Sequence, residues 1–230
     1  MAFLTALGGA TTPDRRTLSW FPVVGALLGL VVGTVWWGAS ELWSPLVAAG
    51  LVVAVDLALT GLLHLDGLVD AADGMLPQMP RERRLAVMSE PTIGAYGVGA
   101  AVVVLLVRWS ALASIEPNAL LIAGIWCGSR TVMAAAARGV PYARREGGLA
   151  TALLGGDWRP VALYGLIGAV SLGAFAQGRQ SELAVAFGML AGALVVLAAR
   201  RRLGGFTGDV LGAAGMLTET VALVVAAARW

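Results

Sequence analysis

The sequence contains no lysine, one histidine and one cysteine, and charged residues make up only 13% of its 230 residues. Hydrophobic residues make up 58%, and the mean hydropathy is +0.81. A water-soluble domain of this length needs far more polar surface to cover its core, so the composition excludes an ordinary soluble enzyme. Cys127 has no second cysteine with which to form an internal disulfide, so no oxidising compartment is indicated.

Several stretches of the sequence are long and apolar enough to cross a membrane. A membrane helix needs about 20 mostly apolar residues and must satisfy its backbone hydrogen bonds internally. The seven stretches are 20–40, 44–65, 93–115, 118–137, 160–178, 182–199 and 210–228. We therefore predict an all-α, polytopic integral membrane protein of about seven helices, with residues 1–230 in a single transmembrane domain. Residues 1–19 lack the basic start of a signal peptide, and we expect a short cytoplasmic or interfacial segment there.

The arginines concentrate in alternate connections. Those before the first stretch and after the second, fourth and sixth are Arg15, Arg16, Arg81, Arg83, Arg84, Arg138, Arg144, Arg145, Arg159, Arg200, Arg201 and Arg202. The other connections hold only Arg179. Because basic residues concentrate in cytoplasmic loops, this pattern predicts an odd number of spans with the N-terminus in the cytoplasm.

An acidic cluster stands at the predicted cytoplasmic end of the second stretch. On a helix, Asp66, Asp70 and Asp73 fall within an arc of roughly 60°. Carboxylates on one face repel one another, and hard oxygen ligands at this spacing suit Mg²⁺, or Mn²⁺ in its place. The competing interpretation is a solvated acidic helix end, although acids in so apolar a chain are usually functional. His64 is about 200° away from Asp66 on a continuous helix and is predicted to face elsewhere unless Gly67 bends the helix.

A second polar segment, GGFTGD at 204–209, precedes the last stretch. Its glycines allow close approach of the backbone to a ligand. Asp209 is near a helix N-terminus, where an acid is favourable as a cap even without a catalytic role. Glu219 is ten residues further on, about 15 Å along the helix axis, and an acid at that depth is expected to be functional.

Charged residues inside the predicted spans require partners. Arg130 is within the fourth stretch and needs an acid or a phosphate, whereas Arg108 is closer to the outer end of the third and is predicted to snorkel to the interface. Asp56 is expected to make an interhelical hydrogen bond. Arg144, in PYAR at 141–144, belongs to a group of loop arginines suited to bidentate phosphate binding, although topology alone also demands arginines there.

Together these features indicate a membrane enzyme that holds a divalent metal with acids, has arginines nearby and catalyses phosphoryl-type transfer. Five segments then carry a family resemblance. They are WFPVVG at 20–25, TG at 60–61 with HLDGLVDAADG at 64–74, IGAYG at 93–97, PYAR at 141–144, and GGFTGDVLGA at 204–213. In this order they resemble the cobalamin (5′-phosphate) synthase family, also called adenosylcobinamide-GDP ribazoletransferase, through nearly the whole chain.

The resemblance implies a reaction and a location. The 3′-hydroxyl of α-ribazole, or of its 5′-phosphate, would attack the cobinamide-side phosphorus of adenosylcobinamide-GDP, so that GMP leaves and adenosylcobalamin or its 5′-phosphate forms. The family is Mg²⁺-dependent and resides in the bacterial inner membrane, which places membrane lipid around the chain and the active site towards the cytoplasm. No nucleic-acid partner is expected, and assembly into a homo-oligomer or with other cobalamin-assembly proteins stays open.

Site roles follow from this hypothesis. The predicted metal ligands are Asp66, Asp70, Asp73 and Asp209, of which the last three are also predicted to be catalytic. The predicted substrate-binding residues are His64, Arg130, Tyr142, Arg144, Gly205, Thr207, Gly208 and Glu219. Met216 stands where family members often have an acid, and the loop 88–92 lacks the basic residues often seen beside its acid.

Three other interpretations compete with this one. A CDP-alcohol phosphotransferase has related chemistry, but its acidic pattern requires Ala-Arg soon after Asp-Gly, and Gly74 is followed by Met75 and Leu76. A membrane prenyltransferase would carry a second Asp-rich motif, for which Asp209 alone is a poor candidate. A metal or ion transporter would place its ligands near the midplane rather than at one face.

Overall fold

A computed structural model of the chain describes residues 16–144 and 156–228, and these residues are helical apart from turns and one isolated backbone bridge. The helices are α1 (Thr17–Leu42), α2 (Pro45–Leu59), α3 (Leu63–Met75), α4 (Arg81–Val87), α5 (Ala95–Ala113), α6 (Ala119–Gly139), α7 (Arg159–Gln177), α8 (Arg179–Leu203) and α9 (Gly208–Ala226). The predicted all-α class is confirmed. Arg15 and Arg145, which entered the orientation argument, and most of the predicted N-terminal segment are outside the described residues.

Six of these helices, α1 and α5 to α9, are each long and apolar enough to cross a membrane. They coincide, within a few residues at each end, with six of the seven predicted stretches. The multi-pass membrane architecture is therefore confirmed.

The remaining stretch, 44–65, was predicted to be one continuous helix, and that prediction is wrong. Helices α2 and α3 meet at 89° across a break at Thr60–Leu62. Gly61 and Leu62 both have left-handed backbone, with φ of 57° and 62°, and this conformation ends an α-helix. Helix α2 is 15 residues long, about 22 Å, and is shorter than the roughly 30 Å hydrocarbon core. Because of the bend, α2 and α3 cannot both follow the membrane normal.

Small residues bring the central helices into close contact. Along α1, Gly29 and Gly33 face α6, and a Cβ on either would be 2.6 Å from the Cα of Ala123 or Ala119. Such glycine stripes let helix backbones approach in lipid, where packing rather than hydrophobicity drives association. Helices α6 and α9 are consequently buried along most of their length, and α3 packs against α9 and α5 at one end of the bundle.

Candidate active site at the ends of α3 and α9

Two segments that are distant in sequence pair at the start of α9. The backbone N–H of Ala143 donates to the carbonyl of Phe206 at 2.8 Å, and the N–H of Phe206 donates to the carbonyl of Pro141 at 2.9 Å. A Cβ on Gly205 would overlap the Pro141 carbonyl, so only glycine permits this approach. The structure therefore brings together two motifs that the sequence separates by about sixty residues.

The first turn of α9 holds Asp209 in place. Thr207 is the N-cap, and its hydroxyl oxygen accepts the N–H of Val210 at 3.3 Å and donates to Asp209 Oδ2 at 3.1 Å. The Arg144 guanidinium donates to the same carboxylate oxygen at 3.1 Å. Asp209 is only partly buried, so its carboxylate is both fixed and accessible.

Tyr142 and Gly208 border this turn. The Tyr142 ring packs edge-on against Phe206 with centroids 5.4 Å apart. Burial raises the pKa of the Tyr142 phenol, so it stays a neutral hydrogen-bond donor at physiological pH. Nothing is within 4 Å of the position that a Gly208 Cβ would occupy, which leaves open space beside the helix N-terminus.

Helix α3 reaches the same place through a backbone contact with α9. A Cβ on Gly67 would be 2.9 Å from the Asp209 carbonyl oxygen and 3.3 Å from the Gly212 Cα. Asp66 directly precedes Gly67 and Asp70 is one turn further along α3, so the contact brings both carboxylates near Asp209. Asp66 is exposed and Asp70 is half-buried.

Asp73, predicted to share a face with these two acids, is in a different environment. It is buried, and its two oxygens accept the backbone N–H groups of Gly94 at 2.7 Å and Gly97 at 2.8 Å. These amides belong to the first turn of α5, so Asp73 anchors the start of that helix. Its predicted catalytic and metal-binding roles stay predictions, beside a structural role that the geometry shows.

The donor set can be compared with what Mg²⁺ requires. Among the described residues, no three His, Cys, Asp or Glu side chains are close enough together to form a metal site on their own. Within the same ranges, the side-chain carboxylates of Asp66 and Asp70 make no hydrogen bond or ion pair and are available to a cation. Mg²⁺ in enzymes usually binds one or two carboxylates, several waters and substrate phosphates. The site therefore fits Mg²⁺ that arrives with a phosphorylated substrate.

Behind the site, the bundle contains a buried charged network. Arg108 donates to Asp56 and to Glu219, each at 2.8 Å, and Glu219 also pairs with Arg130. The prediction that Arg108 snorkels is wrong: it is 1% exposed, because two acids inside the bundle hold it there. The expected interhelical hydrogen bond of Asp56 is confirmed, and Trp126 Nε1 donates to it at 3.0 Å.

Three predicted substrate-binding residues belong to this region. Arg130 and Glu219 are at most 1% exposed, and His64 is 4% exposed with Nδ1 3.4 Å from Arg130 Nη2. In this conformation they contact one another rather than the open site, so substrate contact by them stays a prediction. Sequence reasoning missed Arg108 as their partner. The signal was available, because the two acids within the spans, Asp56 and Glu219, outnumber Arg130 and require a second cation.

Arg81 is a further residue at the site, which the sequence indicates only as one of several loop arginines suited to anion binding. Its guanidinium donates to the carbonyls of Leu203 at 2.6 Å and Ala143 at 2.8 Å, and it thereby ties α4 to both paired segments. Arg144 also donates to the Met88 carbonyl at 3.2 Å. The connection 76–94 therefore packs against the site. In the sequence, only its run of arginines indicates that it lies near a site for an anion.

Fold and site together define a polytopic helical membrane protein whose accessible carboxylates and an arginine meet at one end of the bundle. A family model described as cobalamin-5-phosphate synthase matches residues 1–227. The chain belongs to the cobalamin-5-phosphate synthase family.

Curated relatives agree with this assignment. The chain is 37% identical over 212 residues to an adenosylcobinamide-GDP ribazoletransferase of Chlorobium phaeovibrioides, covering 88% of this chain and 84% of the relative. Proteins of the same name from Bradyrhizobium diazoefficiens and Brevibacillus brevis are 37% and 30% identical, covering 90% and 94% of this chain and 81% and 89% of theirs. No solved structure matches the chain.

Proposed function

We propose that this protein transfers the adenosylcobinamide phosphate moiety of adenosylcobinamide-GDP to α-ribazole or its 5′-phosphate, in the last assembly step of cobalamin biosynthesis. The observation that carries the proposal is the meeting of Asp66 and Asp70 on α3 with Asp209 and Arg144. Acids available to a metal, next to an arginine, suit a reaction that moves a phosphorus centre between oxygen atoms.

The proposed reaction exchanges one phosphorus–oxygen bond for another. The ribazole 3′-oxygen forms a bond to the cobinamide-side phosphorus, the bond from that phosphorus to the bridging diphosphate oxygen breaks, and GMP leaves with that oxygen. The hydroxyl loses its proton to a base at the site. The products are adenosylcobalamin, or its 5′-phosphate, and GMP.

Each side chain has a role in this scheme. Asp66 and Asp70 would hold Mg²⁺, which when bound supplies charge neutralisation for the diphosphate. Asp209, held by Thr207 and Arg144, is placed either to complete that metal site or to accept the hydroxyl proton. Arg144 has further N–H groups besides those bonded to Asp209 and Met88, and these can contact a phosphate.

The location forms part of the proposal. The arginine-rich connections, including 76–94 and 200–207, lie at the same end of the bundle as the carboxylates. By the positive-inside rule, this end of the bundle would face the cytoplasm, and we propose that the protein resides in the bacterial inner membrane with its active site on that side, where nucleotide-linked substrates are available.

GMP release tests the proposal directly. Detergent-purified protein would be supplied with adenosylcobinamide-GDP, α-ribazole and Mg²⁺, with an EDTA-treated sample as control. We expect Mg²⁺-dependent GMP in equal amount to a new corrinoid product. A folded, monodisperse preparation that releases no GMP would contradict the proposal, and CDP-alcohol and prenyl diphosphate substrates would be assayed next.

A further inference from the structure

An apolar groove runs beneath the acidic face of α3. Helices α3, α5, α8 and α9 line it, it measures about 240 Å³, and its walls are almost wholly apolar. Leu68 and Ala72 contribute from α3, Val104 from α5, Val195 from α8 and Leu217 from α9. Since α5, α8 and α9 are membrane-spanning helices, the groove lies at the depth of lipid chains.

Two arginines converge on the end of this groove. The carbonyl oxygen of Met75, whose residue also lines the groove, accepts hydrogen bonds from both Arg84 and Arg202. Arg202 is seven residues beyond Val195 on α8, two turns further along the same face. Arg84 additionally donates to the Gly74 carbonyl at 2.9 Å.

Both guanidinium charges lack a counterion. In the described ranges, Arg84 and Arg202 bond to carbonyl oxygens and pair with no acid, whereas Arg83, Arg108 and Arg144 each do. An arginine has five N–H donors, so each keeps several for another acceptor. Two cations sharing one carbonyl repel each other, and an anion between them would remove that repulsion.

We propose that this groove binds one anionic glycerophospholipid, with an acyl chain along the apolar walls and the phosphate between Arg84 and Arg202. The charge complementarity selects the headgroup, because arginine binds phosphate oxygens in bidentate fashion and anionic lipids attract basic residues at the cytoplasmic surface. The apolar length below the arginines selects a lipid over a soluble phosphate. The bound lipid would pack against the apolar face of α3, opposite its acids, and stabilise the position of that helix.

Lipid binding is measured without substrate, so this test is independent of the proposed function. Native mass spectrometry of the detergent-purified protein would be recorded with added phosphatidylglycerol and, separately, phosphatidylcholine of the same chains. We expect one phosphatidylglycerol per chain to be retained preferentially. Arg84→Gln and Arg202→Gln should each weaken binding about fivefold, since each removes one arginine contact.

Matched variants separate this site from general surface charge. Arg200→Gln removes the same charge from α8 on another face and should leave binding unchanged. Val195→Trp fills the groove and should abolish retention, whereas Leu194→Trp, at a neighbouring position that is 55% exposed, should not.

Four results would overturn the proposal. These are equal retention of both lipids, equal losses in Arg200→Gln and Arg202→Gln, full displacement of lipid by inorganic phosphate, or a lipid-free dimer whose contact is lost in Val195→Trp. The third result would indicate a soluble anion site, and the fourth would indicate that a second copy of the chain covers the groove.

Discussion

Asp66, Asp70 and Asp73 are within two turns of one helix, yet their carboxylates meet three different environments. Asp66 is exposed, Asp70 is half-buried beside Asp209, and Asp73 is buried against the first turn of α5. Helical periodicity places all three on one side, but only packing determines which neighbour each one meets. The site acids and the anchoring acid can therefore be distinguished experimentally.

Replacing Asp70 and Asp73 should affect different quantities. Asp70→Asn removes one of the carboxylates that we propose to hold the metal. We expect kcat to fall about 10²- to 10³-fold, as on loss of one electrostatic contact to a transition state, with little change in stability. Asp73→Ala leaves the backbone N–H groups of Gly94 and Gly97 without their acceptor, and we expect a loss of about 1–3 kcal/mol in the free energy of unfolding. GMP release and thermal unfolding in detergent measure the two effects.

The control is Glu41→Gln, which removes an exposed acid from the far end of α1 and should change neither quantity. If Asp73→Ala keeps its unfolding temperature but needs much more Mg²⁺ for half-maximal activity, then Asp73 is a metal ligand. An Asp70→Asn variant of full activity would remove Asp70 from the proposed site.

The buried network makes a second prediction at the scale of residues. Glu219→Gln leaves Arg108 and Arg130 without the charge that both share, and breaking a buried pair in this way costs about 3 kcal/mol. For a chain of this length, that loss corresponds to roughly 10 °C in the unfolding temperature. Glu116→Gln, at an exposed position, is the matched control and should shift it by at most a degree or two. Equal shifts in the two variants would show that the network contributes little.

At the scale of elements, the backbone contact between α3 and α9 sets the distance between the site acids. Gly67→Ala would put a methyl group 2.9 Å from the Asp209 carbonyl oxygen. Cβ atoms in proteins essentially never come this close to another heavy atom, so α3 and α9 must move apart. A displacement of about 1 Å at a reacting centre can cost about 100-fold in rate, and we expect kcat to fall by 10- to 100-fold. Initial rates of GMP release measure this loss.

Gly99→Ala is the matched control, because nothing is within 4 Å of its added methyl group on α5. It should retain full activity, and the alanine should slightly stabilise the helix. If Gly67→Ala is as active as Gly99→Ala, the α3–α9 contact does not determine the site geometry.

Helix positions follow from hydropathy, but the break between α2 and α3 does not. Six spans can be recognised in the sequence because each contains about 20 mostly apolar residues. In lipid, such a segment must form a helix to satisfy its backbone hydrogen bonds. The dipeptide at 60–61 contains a glycine, yet glycine also occurs inside other spans without ending them. Gly61 and Leu62 take left-handed backbone where α3 turns away to pack against α9 and α5, and those partners are distant in sequence.

For the molecule as a whole, the bent pair determines how many times the chain crosses the membrane. If α2 and α3 together cross, the described residues form seven spans, and with the N-terminus in the cytoplasm the arginine-rich connections lie there too. If α2 and α3 form a re-entrant loop instead, the described residues form six spans, and the connection 76–94 lies outside. The arginine distribution favours seven.

Cysteine labelling distinguishes the two topologies. In a Cys127→Ala background, Ser89→Cys and Ser114→Cys place single exposed thiols on the connections that precede and follow α5. With seven spans, a membrane-impermeant maleimide added to intact spheroplasts should label position 114 at once, and position 89 only after lysis. With the N-terminus in the cytoplasm, the reverse pattern would indicate six spans. The unsubstituted Cys127→Ala protein, which has no thiol, is the blank.

The sequence by itself determined the membrane class, six of the spans and the family, because hydropathy and motif order are local properties of the chain. The placement of the arginines is local too, and it predicts the orientation. It also predicted a site at the acids of α3 and at the GGFTGD turn, and the structure brings these two segments together. The tertiary structure decided which acid faces the site, which anchors a helix, and which arginines neutralise Glu219. These outcomes depend on contacts between segments far apart in sequence, such as Gly67 with Asp209 and Asp73 with Gly94, and no local pattern encodes those contacts.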